Sequence, residues 1–299
     1  MVDIIVVGGG PSGMTAALYA LRSNKSVLIL EKENFGGQIA NSPRVENYPS
    51  INEISGLDLS DKMFAQIMDL GAQFELEDVL KIEKSEGKFV LTTNYNKYEC
   101  KAVILANGVK HRLMNLPNEE NLIGNGVSFC AVCDGPMYKG QEAYLIGDAN
   151  TALQYALLLS NYCTKVHMFT LFDKFFGDQI LQDRVNQKEN ILVEHNMNLI
   201  QYLGEDKLEG LVFENTQTKI KSEYHTNNVF IAIGQIPQNE AFADLVELEK
   251  GYIVTDESMQ TKTPGIFACG DTRKKEIRQV VTACNDGAIA ALSAVKYIG

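Results

Sequence analysis

Two cysteines separated by two residues are the groups in this chain best suited to chemistry. They lie in the segment Cys130-Ala131-Val132-Cys133-Asp134-Gly135, with a carboxylate directly after the second. Sulfurs at this spacing can form and break a disulfide reversibly, which suits thiol–disulfide exchange. The pair could also supply half of a zinc site. Because the other four cysteines and the four histidines are scattered singly along the chain, we predict a redox pair and no metal.

Composition narrows the class of protein that carries this pair. The chain has 299 residues, of which 45% are apolar, enough for about two domains with large cores. No apolar run reaches about 18 residues, so no membrane span is expected. The first residues lack a basic leader, and six cysteines in this length do not form a disulfide framework, so we expect a reducing, cytoplasmic location. A formal charge of −11 argues against nucleic-acid binding.

The amino-terminal segment predicts an element that could position a cofactor. The segment Asp3–Val7, which is continuously apolar after its first residue, is typical of a buried parallel strand. The motif Gly8-x-Gly10-x-x-Gly13 follows. Such glycines allow a tight turn, close approach of the backbone to a pyrophosphate, and close helix–strand packing. A helix over Ser12–Ser23 would direct its first N–H groups at the phosphates.

The second predicted strand supports a dinucleotide site at this turn. Ser26–Leu30 is apolar and ends at Glu31, whose carboxylate can accept hydrogen bonds from ribose hydroxyls. A strand before the motif, a helix after it and an acid at this distance favour nucleotide binding over a glycine-rich turn with a surface glutamate.

A second copy of the same pattern follows the cysteine motif. The sequence predicts a strand over Glu142–Ile146, a turn over Gly147–Ala152, a helix over Ala152–Asn161 and a strand over Lys165–Phe169. Repetition of this topology indicates two nucleotide-type folds in one chain. The second glycine turn is degraded, because Ala149 stands where a second glycine would lie.

Other elements are predicted from periodicity and from turn residues. They are a helix over Gly56–Leu70, strands over Ala72–Leu80, Lys88–Thr93, Tyr98–Leu105 and Asn228–Ile233, a short strand within Gly265–Asp271, and a terminal helix over Ala283–Tyr297.

These features together resemble the low-molecular-weight thioredoxin reductases. The matching elements occur in that family's order: Gly8–Gly13, Glu31, Gly36-Gly37-Gln38, Glu46-Asn47-Tyr48-Pro49, Cys130–Gly135, Gly270-Asp271 and Arg278-Gln279. The resemblance implies an α/β fold of two Rossmann-like, three-layer domains, the second inserted into the first. Residues 1–112 and 240–299 would bind FAD. Residues 113–239 would form the inserted redox-disulfide domain, a degenerate NADPH-binding-like fold, and the protein would be a homodimer.

The resemblance also implies a role for individual residues. The glycines of the first motif would face the FAD pyrophosphate, Glu31 would bind the adenosine ribose, and Asp271 would contact the ribityl or phosphate region. The residues expected along FAD are Gly8, Gly10, Ser12, Gly13, Glu31, Gly37, Gln38, Asn47, Val79, Ala106, Gly108, Asp271, Arg278, Gln279 and Val280.

For the redox segment, the resemblance implies that Cys133 faces the flavin and that Cys130 attacks the disulfide of thioredoxin. Asp134 would be the acid/base that moves protons during the exchange. The alternative for Asp134 is a helix-capping carboxylate.

One segment departs from the family pattern. The usual members bind the 2′-phosphate of NADPH with three arginines after the second glycine turn, and here Leu171, Phe172 and Phe176 stand at those positions, with Lys174 nearby. Losing charge-assisted hydrogen bonds of about 1.5–3 kcal/mol each would weaken binding by orders of magnitude. Asp173 lies too far along to indicate NADH. We therefore expect no NADPH site.

The sequence most resembles a subgroup that takes electrons from reduced ferredoxin. A ferredoxin at about −400 mV and thioredoxin at about −270 mV differ by roughly 130 mV, or about 6 kcal/mol for two electrons. Ferredoxins are acidic, so docking on this acidic chain needs a local basic surface. The basic cluster Arg273, Lys274, Lys275 and Arg278 is the candidate, with Lys110 and Arg112 as weaker ones; the alternative is a solvated basic turn.

Three other functions stay open at this point. The chain could be an NADPH-dependent thioredoxin reductase with an unusual phosphate clamp. It could be a flavoprotein disulfide reductase with another donor or partner. It could also be a binding or structural protein without turnover, which the intact redox pair disfavours.

Overall fold

The computed structural model describes residues 1–42, 45, 47–85 and 87–299. The chain divides into two compact units. The first unit is Met1–Lys110 together with Ile236–Gly299, and the second unit is His111–Gln235. The first unit is therefore discontinuous in sequence. The sequence predicts the junctions at 112/113 and 239/240, whereas the division falls at 110/111 and 235/236.

The strands and helices alternate over much of the chain. The strands are β1 (Val2–Val7), β2 (Val27–Glu31), β3 (Gln73–Leu76), β4 (Val79–Ser85), β5 (Lys88–Thr93), β6 (Lys97–Leu105), β7 (Val109–His111), β8 (Val127–Ser128), β9 (Glu142–Ile146), β10 (Lys165–Phe169), β11 (Ile191–Glu194), β12 (Met197–Leu203), β13 (Gly210–Asn215), β14 (Lys221–His225), β15 (Val229–Ile231), β16 (Gln235–Pro237), β17 (Leu248–Glu249), β18 (Tyr252–Ile253) and β19 (Ile266–Ala268). The α-helices are α1 (Pro11–Arg22), α2 (Gly56–Asp69), α3 (Glu119–Leu122), α4 (Ala131–Asp134), α5 (Asn150–Leu159), α6 (Gln179–Asn186) and α7 (Val280–Ile298).

The first unit is built on a seven-stranded sheet. Its order is β3-β2-β1-β6-β5-β4, with β19 also pairing with β6. The strands from β3 to β6, and β19, are parallel, whereas β6, β5 and β4 form antiparallel pairs. The central strands are buried on both faces, which explains why β1 and β2 read as continuous apolar runs.

Helices α1 and α7 pack against each other beside this sheet. Pro11 starts α1, a position where the missing N–H costs nothing because no intrahelical partner exists there. A Cβ atom on Gly287 of α7 would lie 2.2 Å from the carbonyl oxygen of Ser12. The absence of a side chain at Gly287 is therefore needed for the close crossing of the two helices.

The second unit contains a five-stranded parallel sheet, ordered β11-β10-β9-β15-β8, and a three-stranded antiparallel sheet, β12-β13-β14. Aromatic side chains form much of its core. The rings of Phe169 and Phe213 stack with centroids 4.1 Å apart, and Tyr224 meets Phe169 edge-on at 5.0 Å. The predicted α/β class with two Rossmann-like domains is confirmed. Among the described residues, no helix combines the length and the apolar character needed to cross a bilayer.

The predicted strand over Ala72–Leu80 is wrong, because the structure has two strands there. β3 and β4 lie at opposite edges of the sheet, and the chain turns at Glu77. The buried Glu77 carboxylate accepts hydrogen bonds from Thr93 Oγ1, from Asn96 Nδ2 at 2.6 Å and from Tyr98 Oη at 3.0 Å. These bonds fix a turn at a position that reads like a polar residue within a strand.

Candidate active site

The two cysteines of the central motif form a disulfide within the second unit. Their Cα atoms are 5.3 Å apart, within the range that a disulfide allows. Cys130 directly precedes α4. The backbone N–H of Cys133 donates to the Cys130 carbonyl oxygen at 3.1 Å and to Cys130 Sγ at 3.2 Å. Both cysteines are half-buried. The tight turn thus holds the two sulfurs together, and both cysteines remain partly exposed to solvent.

Asp134 follows Cys133 in sequence, and its side chain is buried. Its Oδ2 accepts a 2.6 Å hydrogen bond from Ser128 Oγ, and Ser128 Oγ in turn accepts from the Cys130 backbone N–H at 3.1 Å. The carboxylate makes no side-chain cap on the short 3₁₀-helix Gly135–Tyr138 that follows it. The alternative role as a helix cap is therefore wrong. Asp134 is instead connected to the cysteine loop through Ser128.

Two tyrosines hold the backbone on either side of Cys130. Tyr155 Oη donates to the carbonyl oxygen of Phe129 at 3.3 Å, and Tyr162 Oη donates to that of Ala131 at 3.4 Å. Burial, reinforced by the negative charge of Asp134, raises the pKa of Tyr155 to about 12, so its hydroxyl keeps its proton. Neither residue is predicted from the sequence, because a tyrosine in a helix or in the turn after it gives no signal of its own.

The remaining cysteines are poor candidates for redox chemistry. Cys100, Cys163 and Cys269 are buried, and Cys284 is half-buried. Burial raises the pKa of Cys100 and of Cys269 to about 12, so both stay protonated thiols. Within the part of the chain that the structure describes, no three His, Cys, Asp or Glu side chains are grouped as metal ligands.

In the first unit, the glycine turn after β1 is packed tightly at two of its three predicted positions. Gly8 has a φ of +108°, and a Cβ there would lie 2.4 Å from the Ala106 carbonyl oxygen. A Cβ on Gly13 would lie 1.9 Å from the Gly8 carbonyl oxygen. Around Gly10, by contrast, the nearest atom to a Cβ would be the Gly36 carbonyl oxygen at 4.0 Å. The space in front of Gly10 is therefore open to a bound group.

Glu31 supports this turn from the end of β2. Its Oε2 accepts a 2.6 Å hydrogen bond from the Gly9 N–H, and its Oε1 accepts from the Glu33 N–H at 2.9 Å. The predicted contact of Glu31 with a ribose stays a prediction. The carboxylate lies beside the glycine turn, where that contact requires it.

Three other predicted cofactor residues, Gln38, Asn47 and Gln279, make side-chain hydrogen bonds in the first unit. Gln38 Nε2 donates to the Val109 carbonyl oxygen, and Asn47 Nδ2 donates to Gln279 Oε1 at 3.2 Å. Gln279 is the amino-terminal cap of α7, so Val280 is the first residue of that helix. Glu46 of the predicted motif lies outside the described residues.

The other predicted positions have simpler surroundings. Ser12 is buried at the start of α1, Val79 is buried in the core, Gly37 lies across from Gly10, and Gly108 has a φ of +62° with open space around it. Their contacts with a cofactor stay predictions.

Asp271 in the Gly270–Thr272 turn and Arg278 after it have buried polar atoms without hydrogen-bond partners in the described part of the chain. Among the described residues, the buried Oδ1 of Asp271 and Nε of Arg278 have no hydrogen-bond partner. The Arg278 guanidinium lies 4.4 Å from the centre of the Tyr252 ring. Buried polar atoms without partners are rare and require an explanation; a polar ligand at this turn would supply the missing bonds.

The predicted basic docking cluster is wrong for two of its four residues. Arg273 Nε and Lys275 Nζ both bond to Asp286 Oδ2, at 3.0 and 2.9 Å. Their side chains are turned into the protein because Asp286, on α7, is a buried acceptor. Lys274 is exposed, and its Nζ pairs with Glu249 Oε2 at 2.6 Å. The four residues therefore do not form one solvated basic surface.

The second glycine turn, in the second unit, is covered by a neighbouring segment. The Phe176 N–H donates to the Asp148 carbonyl oxygen at 2.7 Å. The Asp178 N–H donates to Asn150 Oδ1 at 2.6 Å, and a Cβ on Gly177 would lie 2.5 Å from Leu153 Cδ1. Residues 176–178 thus lie against the first turn of α5.

The surface beside this turn is apolar where the family resemblance would require arginines. Leu171, Phe172 and Phe176 are 44%, 48% and 55% exposed. The two phenylalanine rings meet edge-on at 5.3 Å, and Lys174 Nζ lies 5.5 Å from the centre of the Phe176 ring. The only cation of the segment therefore contacts an aromatic face and forms no part of a guanidinium clamp.

Comparison with known proteins agrees with this fold. Residues 2–287 match the family described as pyridine nucleotide-disulphide oxidoreductase. The thioredoxin reductase of Bacillus subtilis is 39% identical over 298 residues, covering 99% of this chain and 94% of that protein. A Clostridium pasteurianum protein described as a 34.2 kDa protein in the rubredoxin operon is also 39% identical, over 99% of this chain and 97% of its own.

A solved structure extends the similarity to three dimensions. The crystal structure of thioredoxin reductase from Streptococcus pyogenes superposes with a TM-score of 0.94 at 37% identity, covering 99% of this chain and 98% of that one. The chain belongs to the pyridine nucleotide-disulphide oxidoreductases, within the low-molecular-weight thioredoxin reductase family.

This family membership implies FAD, and the first unit fits that group. Open space in front of Gly10 leaves room for a pyrophosphate at the amino-terminal end of α1. Asp271 Oδ1 and Arg278 Nε supply an acceptor and a donor that lack hydrogen-bond partners in the described part of the protein. At the turn before α5, none of the described residues has a buried side-chain polar atom without a hydrogen-bond partner.

Proposed function

We propose that the protein is an FAD-dependent disulfide reductase that reduces thioredoxin through Cys130 and Cys133. The observation that carries this proposal is the Cys130–Cys133 disulfide, with the buried Asp134 connected to the Cys130 backbone through Ser128. The thioredoxin reductases among its relatives support thioredoxin as the substrate. The homodimer and the cytoplasmic location stay predictions from the family resemblance.

FAD would be held by the first glycine turn, Glu31, Asp271 and Arg278, and when bound it would supply the electron pair that reduces the disulfide. The amino-terminal end of α1 would bind the pyrophosphate with its unsatisfied N–H groups. Asp271 would accept hydrogen bonds, since its Oδ1 has no protein donor among the described residues.

The cysteines then carry out the exchange. Two electrons and two protons convert the Cys130–Cys133 disulfide into two thiols. The Cys130 thiolate attacks one sulfur of the thioredoxin disulfide, which forms a mixed disulfide and releases the other thioredoxin sulfur as a thiolate. The Cys133 thiolate attacks Cys130 Sγ, which restores the Cys130–Cys133 disulfide and frees reduced thioredoxin. Asp134 would give and take the proton at these sulfurs, held in place by Ser128.

We further propose that the electrons come from reduced ferredoxin and not from NADPH. The support is the apolar surface at Leu171, Phe172 and Phe176, where a 2′-phosphate would need bidentate cationic donors. Ferredoxin has enough driving force, about 6 kcal/mol for two electrons. Because Arg273 and Lys275 are engaged by Asp286, the docking surface would not use those two side chains.

An NADPH-dependent thioredoxin reductase is the second candidate function. The family name, which refers to pyridine nucleotides, favours it. In this case the nucleotide would bind at the second glycine turn without the arginine clamp.

Anaerobic reduction of the bound flavin tests both proposals in parallel. NADPH, NADH and reduced ferredoxin are added separately, and the flavin absorbance is followed together with reduction of thioredoxin. We expect rapid bleaching by ferredoxin alone. Bleaching by NADPH within seconds would falsify the ferredoxin proposal and establish the second candidate. A Cys133→Ser protein that binds FAD and still reduces thioredoxin would overturn the assignment of the redox pair.

A further inference from the structure

A buried group of charges lies behind the Gly270–Thr272 turn. Asp286 Oδ2 accepts three hydrogen bonds, from Arg273 Nε at 3.0 Å, from Lys275 Nζ at 2.9 Å and from the Gly270 N–H at 3.2 Å. The Lys275 and Asp286 side chains are only 8% and 5% exposed. Burying ions is costly and adds little net stability, so the group requires an explanation other than stability of the fold.

Lys275 connects this group to Asp271. Its Nζ lies between two carboxylates, 2.9 Å from Asp286 Oδ2 and 3.9 Å from Asp271 Oδ1. That Oδ1 is the buried atom that has no hydrogen-bond partner among the described residues. Asp271 Oδ1 therefore lies near the buried Lys275 ammonium group but accepts no hydrogen bond from the described residues.

The same turn is pressed against the start of α1. A Cβ on Gly270 would lie 2.5 Å from Ser12 Oγ, and Gly270 has a φ of +77°. Asp286 therefore fixes, through the Gly270 N–H, a turn that touches the helix end next to the glycine motif. Three segments meet there: the first turn of α1, the Gly270–Thr272 turn and α7.

We propose that Asp286 and Lys275 are positioning residues for FAD: Asp286 holds the Gly270 N–H and Lys275 Nζ in place, and Lys275 keeps the Asp271 carboxylate charged beside the start of α1. The inference rests on the proposed FAD function and adds to it a set of residues that do not touch the cofactor. Arg273 completes the group by balancing the charge of Asp286.

The charges around Asp271 explain why Lys275 is needed. Burial raises the pKa of Asp271; the positive charges of Lys275 and Arg278 oppose that rise, and the negative charge of Asp286 adds to it. Without Lys275 the carboxyl would take up a proton at a higher pH. A protonated Asp271 loses part of its capacity to accept hydrogen bonds from the cofactor.

Lys275→Met and Lys274→Met form a matched pair for the test. The two lysines are adjacent in sequence and lose the same charge, but Lys274 is exposed and pairs with Glu249 at the surface. FAD is removed from each protein, and its affinity is measured by quenching of flavin fluorescence between pH 5 and pH 8. We expect K275M to bind FAD at least about tenfold more weakly, with K274M within about twofold of the wild type.

The pH profile separates positioning from a general structural role. In K275M the loss of FAD affinity on acidification should begin at a higher pH than in the wild type, and Asp286→Asn combined with K275M should weaken binding by less than the sum of the single changes. An equal affinity of K275M and K274M overturns the inference while leaving FAD binding intact. A K275M protein that fails to fold also overturns it, since the group would then support the fold. A wild type that does not bind FAD instead refutes the proposed function itself.

Discussion

The hydroxyl of Ser128 donates a 2.6 Å hydrogen bond to the carboxylate of Asp134 and accepts one from the backbone of Cys130. This contact connects the proposed acid/base to the redox turn without using either sulfur. It predicts that Asp134→Asn keeps the geometry, since an amide oxygen can still accept from Ser128, but loses proton transfer.

We expect the D134N protein to reduce thioredoxin roughly a hundredfold more slowly, the usual order for losing a general acid/base. The flavin is reduced chemically beforehand, so the measured rate does not depend on the electron donor. Ser128→Ala should slow the reaction by only about tenfold or less, because it removes one hydrogen bond. A D134N rate within twofold of the wild type contradicts the assignment.

The apolar segment beside the second glycine turn leads to a gain-of-function prediction. Changing Leu171, Phe172 and Phe176 together to arginine should raise NADPH affinity by about a hundredfold or more, through charge-assisted bonds to the 2′-phosphate. Because the three side chains are exposed, the substitutions leave the core unchanged. The matched control has three lysines, with equal charge but no planar fork, and should gain much less. Calorimetric titration with NADPH measures both; equal gains would show that charge alone was missing.

The turn at Glu77 leads to a prediction of stability. Glu77→Ala leaves the donors of Thr93, Asn96 and Tyr98 without their acceptor, which should lower the free energy of unfolding by about 2–4 kcal/mol. Urea unfolding measures the loss, with the exposed neighbour Glu75→Ala as the control. If the two variants are equally stable, the carboxylate network does not hold the turn.

The same carboxylate should make stability depend on pH. Burial raises the pKa of Glu77, but the hydrogen bonds from Thr93, Asn96 and Tyr98 outweigh it and hold the pKa below its usual 4.5. A depressed carboxyl pKa stabilises the fold above pH 4.5, and this contribution is lost as the pH falls through the folded value. In the Glu77→Gln protein the urea midpoint of unfolding should therefore fall less steeply than in the wild type as the pH is lowered below 4.5.

His111 should destabilise the second unit in acid. Its ring stacks on Phe129 with centroids 4.7 Å apart, and burial lowers its pKa from 6.5 to about 4. Between pH 6.5 and pH 4, His111 binds a proton in the unfolded chain but not in the folded chain. The free energy of unfolding therefore falls as the pH drops from 6.5 towards 4. Replacing His111 with Gln should remove that part of the pH dependence. Thermal melts of both proteins across this range make the comparison; parallel curves would show that His111 is not the group.

Patterns bounded by clear turn residues predicted the elements well. The strands over 88–93, 142–146 and 165–169 have the bounds expected from the sequence, because short apolar runs there end at glycine or polar residues. The terminal helix begins at Val280, before the predicted Ala283, because Gln279 and Thr282 form a capping box. The antiparallel strands β12 to β14 were not predicted.

The errors share a physical origin in distant partners. Arg273 and Lys275 read as a surface cluster because their acceptor, Asp286, lies in the following helix. Glu77 read as a strand residue because its donors come from Thr93 to Tyr98. Tyr155 and Tyr162, which hold the backbone beside Cys130, were missed for the same reason: their hydrogen-bond partners are distant in sequence. Motif spacing identifies the residues that could do chemistry. Residues that hold them in place from distant parts of the sequence become visible only in the three-dimensional structure.

The discontinuity of the first unit affects its assembly during synthesis. Strand β19 pairs with β6, and α7 packs on α1, although the whole second unit separates these partners in sequence. The second unit leaves the ribosome as one contiguous segment. The first unit cannot complete its sheet or cover α1 until residues 266–298 have been synthesised. The nascent chain should therefore gain protease resistance in His111–Gln235 first. Flavin should be retained only after α7 has emerged, which pulse proteolysis of stalled chains of increasing length would test.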